Sequence, residues 1–251
     1  MIVIDIGNSN VVIGIYKSQK ILKSLRINTN NFNFNKKNKL IFNNIIKKYK
    51  FLSKNRLIVL GSVVTKKNLI IDKIANYLNY KLLNIKNKKI IFDLKFNFKN
   101  IKELGADRIA NSVSGVKNYG KNLIIVDFGT ATTFDIIKKG YYIGGIISPG
   151  IQVSNIALAN SASKLKEIKI IKTNNIIGKS TKLAMQSGFY WGYLSLIRGI
   201  IKEIVDQQSF KPKIILTGGM ANIFSKEINY KVYIDQNLTL NGLYHIGKIN
   251  A

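Results

Sequence analysis

With 251 residues, a formal net charge of +28, no cysteine and a single histidine, the chain excludes disulfide staples, thiolate nucleophiles and Cys- or multi-His metal sites, while its length suits one large or two small domains. The charge is nearly all lysine, with arginine only at Arg26, Arg56, Arg108 and Arg198. The basic residues are scattered among Asn and Ile, the products of A/T-rich codons, rather than gathered as an arginine-rich reader of bases would gather them; no specific nucleic-acid partner is expected, and non-specific polyanion binding would fall with salt.

The chain opens on Ile2-Val3-Ile4-Asp5-Ile6-Gly7-Asn8-Ser9-Asn10-Val11-Val12-Ile13-Gly14-Ile15, an apolar strand broken by Asp-x-Gly and a polar turn before a second strand. Strands over 2–6, 11–17 and 20–27 form a three-strand meander. This start is not a basic region followed by an uncharged apolar run, and no stretch is long and clean enough to span a bilayer, so a cytoplasmic protein without membrane attachment is expected. Residues 28–39, rich in Asn and Lys, read as a low-complexity linker with Phe32 and Phe34 as its anchors. Spacing predicts a helix over 38–50, an apolar strand over 57–64, a helix over 66–79 and a short strand over 82–85. The order β-β-β-α-β-α-β argues for an α/β layer architecture. Residues 86–100 are basic and irregular.

Glu103-Leu104-Gly105-Ala106-Asp107-Arg108 then opens a helix to Tyr119. A second meander over 122–127, 132–138 and 140–147 carries Ile125-Val126-Asp127-Phe128-Gly129-Thr130-Ala131-Thr132-Thr133, which repeats the strand, Asp-x-Gly, polar turn and strand of the N-terminus. One such turn is ordinarily a hairpin with a capping Asp. Two copies, each heading a meander, indicate internal duplication. Gly lets the backbone approach an anion, and the N–H groups and hydroxyls of each turn suit a phosphate. Pro149 fits the first turn of a helix over 151–163, a connector fills 164–177, and Gly178-Lys179-Ser180-Thr181 starts a long helix through Gln207, capped by Ser180 or Thr181. In a solvated helix Gly188, Gly192 and Gly199 would each cost about 1 kcal/mol relative to Ala; their spacing predicts close helix packing, for which a subunit interface is one place. A strand at 214–216 ahead of Thr217-Gly218-Gly219, a strand at 231–234 and a helix at 237–248 complete the chain, with His245 read as structural.

Transfer of a γ-phosphoryl group to an alcohol needs a phosphate clamp, a divalent cation on the nucleotide and a carboxylate for the hydroxyl proton. The turns at Asp5 to Asn10 and at Gly129-Thr130 suit the clamp. Asp107 suits the base, and Arg108 suits a substrate carboxylate. The same pair also reads as a charged first helical turn, where Asp favours the helix dipole.

Asp5-Ile6-Gly7-Asn8-Ser9, Gly105-Ala106-Asp107-Arg108, Asp127-Phe128-Gly129-Thr130-Ala131-Thr132, the run from Gly145 to Gly150, and Gly178 to Thr181 ahead of Gln186-Ser187-Gly188 resemble, in order over essentially the whole chain, the type III pantothenate kinases. These belong to the acetate-and-sugar-kinase, Hsc70, actin superfamily. The resemblance implies an α/β fold of two duplicated ribonuclease H-like, actin-like ATPase lobes, with the active site in the cleft between them. Residues 1–104 would form the N-terminal lobe, and 105–251 the C-terminal lobe with the long dimerisation helix. It implies phosphorylation of pantothenate to 4′-phosphopantothenate with ATP and Mg2+, Asp107 as proton acceptor, and ATP contacts from Asp5, Ile6, Gly7, Asn8, Ser9, Asn10, Val11, Val12, Gly129 and Thr130. Phe98, Gly105, Ala106, Asp107, Arg108 and Thr181 would contact pantothenate, Thr181 from the partner of a homodimer. Asp127 would ligate K+ or NH4+, or serve only as a turn cap. The chain departs from the family where Phe98 stands in place of a usual Tyr, and where Asn100 is followed by Ile101 instead of Pro. A kinase or phosphatase of the superfamily with another substrate, and a regulatory relative that binds nucleic acid or a transcription factor, are the alternatives.

Overall fold

Ile2, Ile4, Ile6, Val11, Ile13 and Ile15 are fully buried, which places the first two apolar runs in the middle of a sheet. In the computed structural model, which describes residues 1–87 and 89–251, they are β1 (Ile2–Ile6) and β2 (Asn10–Lys17). β3 (Lys20–Asn28), α1 (Lys36–Lys48), α2 (Leu52–Asn55), β4 (Leu57–Ser62), α3 (Asn68–Leu78), β5 (Lys81–Asn84), β6 (Lys95–Phe96) and α4 (Ala106–Tyr119) follow. β1, β2 and β3 form the expected antiparallel meander, and β4 and β5 add in parallel on the other side of β1, in the order β3-β2-β1-β4-β5.

The chain then repeats this plan. β7 (Leu123–Phe128), β8 (Ala131–Lys138) and β9 (Tyr141–Pro149) form an antiparallel meander. After α5 (Ile151–Ser161) and α6 (Thr181–Gln208), β10 (Lys213–Gly218) pairs in parallel with β7, and after α7 (Ala221–Phe224), β11 (Val232–Ile234) pairs in parallel with β10. α8 (Leu238–Ile249) closes the chain. The duplication reaches single residues. Asp5 pairs with Val12 and Asp127 with Thr133, and each meander has its bulge three residues further on, after Ile15 and after Ile136. Each following hairpin turns on two residues with positive φ, Ser18 and Gln19 in one copy, Lys139 and Gly140 in the other, as a turn matched to the twist of its strands requires.

Two expectations change. Residues 28–39 are ordered rather than a loose linker: Asn28 caps the short turn of residues 29–31, Asn35 caps α1, buried Asn38 donates to the carbonyls of Asn31 and Asn33, and Phe32 is fully buried. The asparagines that look like low complexity in sequence are local hydrogen-bonding groups here. Pro149 ends β9, opposite Ala131, and α5 begins only at Ile151.

The chain divides into two compact units, Met1–Lys117 with Asn237–Ala251, and Asn118–Gln236. Most of α4 and all of α8 thus belong to the first unit, and the division does not fall after residue 104. The contacts of α8 explain this. A Cβ on Gly242 would lie 1.9 Å from the Ala110 carbonyl oxygen of α4, and one on Gly247 would lie 2.4 Å from Val59 of β4. The Thr239 hydroxyl donates to Asn111 Oδ1 at 2.7 Å, the Tyr16 hydroxyl donates to Asn241 Oδ1 at 2.6 Å, and the Tyr16 and Tyr244 rings stack at 4.7 Å. His245, beside them, is half-buried, and burial followed by the charges of Lys117 and Lys248 lowers its pKa, which suits a neutral structural imidazole.

In the second unit, Tyr190, Leu194, Ile197, Ile201 and Ile204 recur on one face of α6 and pack against Ile124, Val126, Phe134, Ile136, Ile214 and Leu216 of the sheet. The other face carries Gly188, Gly192, Ser195 and Gly199, all exposed, and nothing lies within 4 Å of a Cβ built on any of the three glycines. Their packing role, expected from spacing, therefore has no partner among the described residues.

Gly242→Ala should cost about 1–3 kcal/mol, the usual range for overpacking a tight contact, and lower the melting temperature by several degrees in thermal unfolding. An unchanged melting temperature would mean that α8 can back away from α4 freely.

Candidate active site

The N-terminal turn is held from three sides. The Gly7 N–H donates to the Asn10 carbonyl at 2.9 Å, the Thr29 N–H to the Ser9 carbonyl at 3.1 Å, and the Thr29 hydroxyl to the Gly7 carbonyl at 2.7 Å. The side chains of Ile6 and Val11 are wholly in the core, so a ligand could reach these two residues only through main-chain atoms. Asn8 and Ser9 are exposed at the tip, and Asp5, Gly7, Asn10 and Val12 are half-buried. Asp5 lies in register between Val12 of β2 and Gly61 of β4.

The second turn closes in the same way but one residue sooner: the Gly129 N–H donates to the Ala131 carbonyl at 3.1 Å. Where the first copy has Thr29 as a latch, the second has Gly150, whose Cβ would lie 2.2 Å from the Thr130 carbonyl oxygen. At that position only glycine lets the end of β9 close over the turn. Gly129 and Thr130 are exposed, and Asp127, one residue from the end of β7, is half-buried. Gly218, at the end of β10, has φ +85°, and a Cβ on it would stand 2.6 Å from the Phe128 carbonyl oxygen and 2.7 Å from Asp127 Oδ1. Glycine at 218 thus lets the end of β10 pack directly against a carboxylate oxygen and a carbonyl oxygen, and that carbonyl accepts the Gly219 N–H at 3.2 Å.

Gly105, Ala106, Asp107 and Arg108 stand at the first turn of α4. Asp107 is half-buried, its Oδ1 accepts the Arg108 N–H at 2.8 Å, and a Cβ on Gly105 would lie 2.4 Å from that same oxygen. Glycine at 105 leaves room for the carboxylate to fold back over the helix start, a place that also favours negative charge. Arg108 is buried, unusual for this residue type. Phe98 is half-buried in the segment before it.

Thr181 is exposed in the first turn of α6, where Ser180 is the cap, its hydroxyl oxygen accepting the Leu183 N–H at 3.3 Å. Gln186 and Ser187, both buried, tie the connector to α6 by donating to the carbonyls of Lys169 and Ile176. Gly178 sits against the backbone of Ala184, where a Cβ would be 2.2 Å from nitrogen. These residues of the glycine-rich and Gln-Ser-Gly segments therefore shape the start of α6.

The first unit thus gathers Asp5 to Val12, Phe98 and Gly105 to Arg108, and the second holds Asp127, Gly129, Thr130 and Thr181. Sequence reasoning did not assign Thr29, Gly150 or Gly218. The repeat itself carried the signal, because Thr29 and Gly150 follow the strand residues opposite Asn10 and Ala131. Among the described residues no three His, Cys, Asp or Glu side chains form a group that could hold a metal ion, and no helix is long and apolar enough to cross a membrane.

Two copies of a meander followed by parallel strands, each with an acidic residue one place before the end of its first strand, define the ribonuclease H-like fold of the actin-like ATPases and sugar kinases. The chain is similar in fold to a Baf family protein from Campylobacter jejuni (TM-score 0.62, 21% identity, covering 100% of this chain and 98% of that one). It is also similar to MreB5 of Spiroplasma citri bound to ADP (TM-score 0.55, 12% identity, 99% and 96%). The family described as type III pantothenate kinase matches residues 1–203. A type III pantothenate kinase of Brevibacillus brevis is 36% identical over 246 residues, which cover 97% of this chain and 96% of that relative. The chain belongs to the type III pantothenate kinases, enzymes that phosphorylate pantothenate with ATP in coenzyme A biosynthesis.

Thr29→Val keeps the side-chain shape and removes one hydrogen bond, a loss of about 1 kcal/mol. Amides of residues 7–10 should then exchange with solvent about fivefold faster, with little change elsewhere. Unaltered exchange at these amides would show that the hydroxyl does not hold the turn.

Proposed function

We propose that Asp107 takes the proton from the pantothenate hydroxyl as the γ-phosphoryl group of ATP is transferred. The observation that carries this reading is the carboxylate folded back over Gly105 at the start of α4, half-buried and oriented by the Arg108 N–H. Phosphoryl transfer asks the protein mainly for positioning and for charge opposite the phosphates, and a general base must be held within reach of the hydroxyl. Gly105, Ala106, Arg108 and Phe98 bind pantothenate beside Asp107, with the Arg108 guanidinium suited to its carboxylate. The turn of Asp5 to Asn10 binds ATP through its backbone and exposed polar tip, as do Gly129 and Thr130 through theirs.

Asp127 holds a monovalent cation, K+ or NH4+. The support is the nearness of two oxygens, Asp127 Oδ1 and the Phe128 carbonyl, beside Gly218; carboxylate and carbonyl oxygens suit hard cations. When bound, the cation would offset phosphate charge. Mg2+, which commonly keeps waters and binds largely through substrate phosphates, is carried by the nucleotide.

The enzyme works as a homodimer, and Thr181 reaches pantothenate of the partner subunit. Supporting this are the exposed stripe of small residues on α6 and the exposed apolar side chains of the same unit, among them Ile147, Ile176, Ile177 and Leu183, with Ile177 78% exposed. Apolar surface of this kind commonly marks an interaction face.

ADP release in the presence of Mg-ATP and pantothenate, with K+ or Na+, tests the scheme. Asp107→Asn should lower turnover by at least about a hundredfold, general-base loss being worth 10²–10⁴, while circular dichroism stays unchanged; a fully active variant would remove Asp107 as base. Asp127→Ala should abolish most of the difference between K+ and Na+, and an unaltered cation response would remove its assigned role.

A further inference from the structure

Lys86 lies in the basic segment that the sequence leaves without a role, and its surroundings are not those of a surface lysine. Its ammonium donates to the carbonyl oxygens of Ile101 at 3.3 Å, Lys102 at 2.7 Å and Leu104 at 2.5 Å. The three N–H donors of an ammonium are thereby matched to three main-chain acceptors. Lys67, Lys138 and Lys213 reach a single main-chain carbonyl apiece.

The acceptors belong to one tight turn. The Glu103 N–H donates to the Asn100 carbonyl, the Leu104 N–H to the Ile101 carbonyl, and the Asn100 side chain bonds both Glu103 and the Lys102 N–H. Gly105 and Asp107 follow directly. Charge supports the geometry: burial lowers the Lys86 pKa, and the negative charge of Asp107 opposes that fall, so the two groups sense one another.

We propose that Lys86 is the positioning residue for Asp107: by gathering the carbonyls of residues 101, 102 and 104, it fixes the turn from which α4 starts and so the place of the carboxylate. This rests on the reading of Asp107 as the base. The three bonds of the Lys86 ammonium all go to main-chain oxygens. It acts through the backbone, and its loss should affect the chemical step more than nucleotide binding.

The test uses the full chain with Lys86→Met, which keeps much of the apolar stem, and Lys86→Arg, which keeps charge and several donors. Misplacement of a catalytic group by about 1 Å can cost 10²-fold. Lys86→Met should therefore lower kcat by about 10- to 100-fold, leave the KM for ATP within about twofold, and speed amide exchange at residues 101–108 alone. Lys86→Arg should recover much of kcat. A wild-type kcat in Lys86→Met overturns the proposal, as does loss in both variants that tracks a fall in melting temperature. Failure of the underlying reading looks different. Full activity of Asp107→Asn, or no pantothenate turnover by the wild-type protein, removes the base, while unchanged exchange at 101–108 in Lys86→Met removes the role of Lys86 whatever Asp107 does.

Discussion

Main chain meets main chain at several points in this protein where a Cβ could not stand. Gly150 lies against the carbonyl of Thr130, Gly218 against that of Phe128, Gly242 against that of Ala110, and Gly178 against the backbone of Ala184. The first two shape the turn around Asp127, the third seats α8 on α4, and the fourth sets the start of α6. In each case the missing side chain is what brings a polar backbone group close to its neighbour. The candidate site residues are thus set by backbone contacts more than by side-chain packing.

The two turns show how the same design can be reached with different residues. In one copy a threonine latches the turn through its hydroxyl and its N–H, and in the other a glycine lets the strand end close over the turn directly. The five corresponding strands of the two sheets share order, pairing sense and bulge position, and the second sheet adds β6 beside β9. Conservation of frame with variation of latch is what a duplicated unit permits, because the turn geometry depends on strand register more than on any one side chain.

Much of this was legible in the sequence. The apolar runs, the Asp-x-Gly turns and the helical spacing of α1, α3 and α6 are local patterns, and local patterns map onto strands, turns and helices. The Ser180 cap of α6 was readable for the same reason. What stayed hidden depends on residues far apart in the chain. Nothing in the amphipathic run of α8 says that its glycines will meet Ala110 and Val59. Nor does one lysine in a chain crowded with them announce that it will gather three carbonyls. The asparagine-rich stretch misled in the opposite direction, because its composition resembles a linker while buried Asn38 and Phe32 fix its path.

The discontinuous first unit bears on how the chain is made. Residues 118–236 form the second unit without interruption, whereas the first needs both Met1–Lys117 and Asn237–Ala251. On a ribosome, β1 to β5 emerge well before α8, whose Leu240 lies against Gly14 and whose Leu243 lies against Gly61. Until that helix arrives, an apolar side of the first sheet has no cover from it. The second unit is contiguous and needs no later segment, whereas the first reaches its final packing only once α8 has joined it.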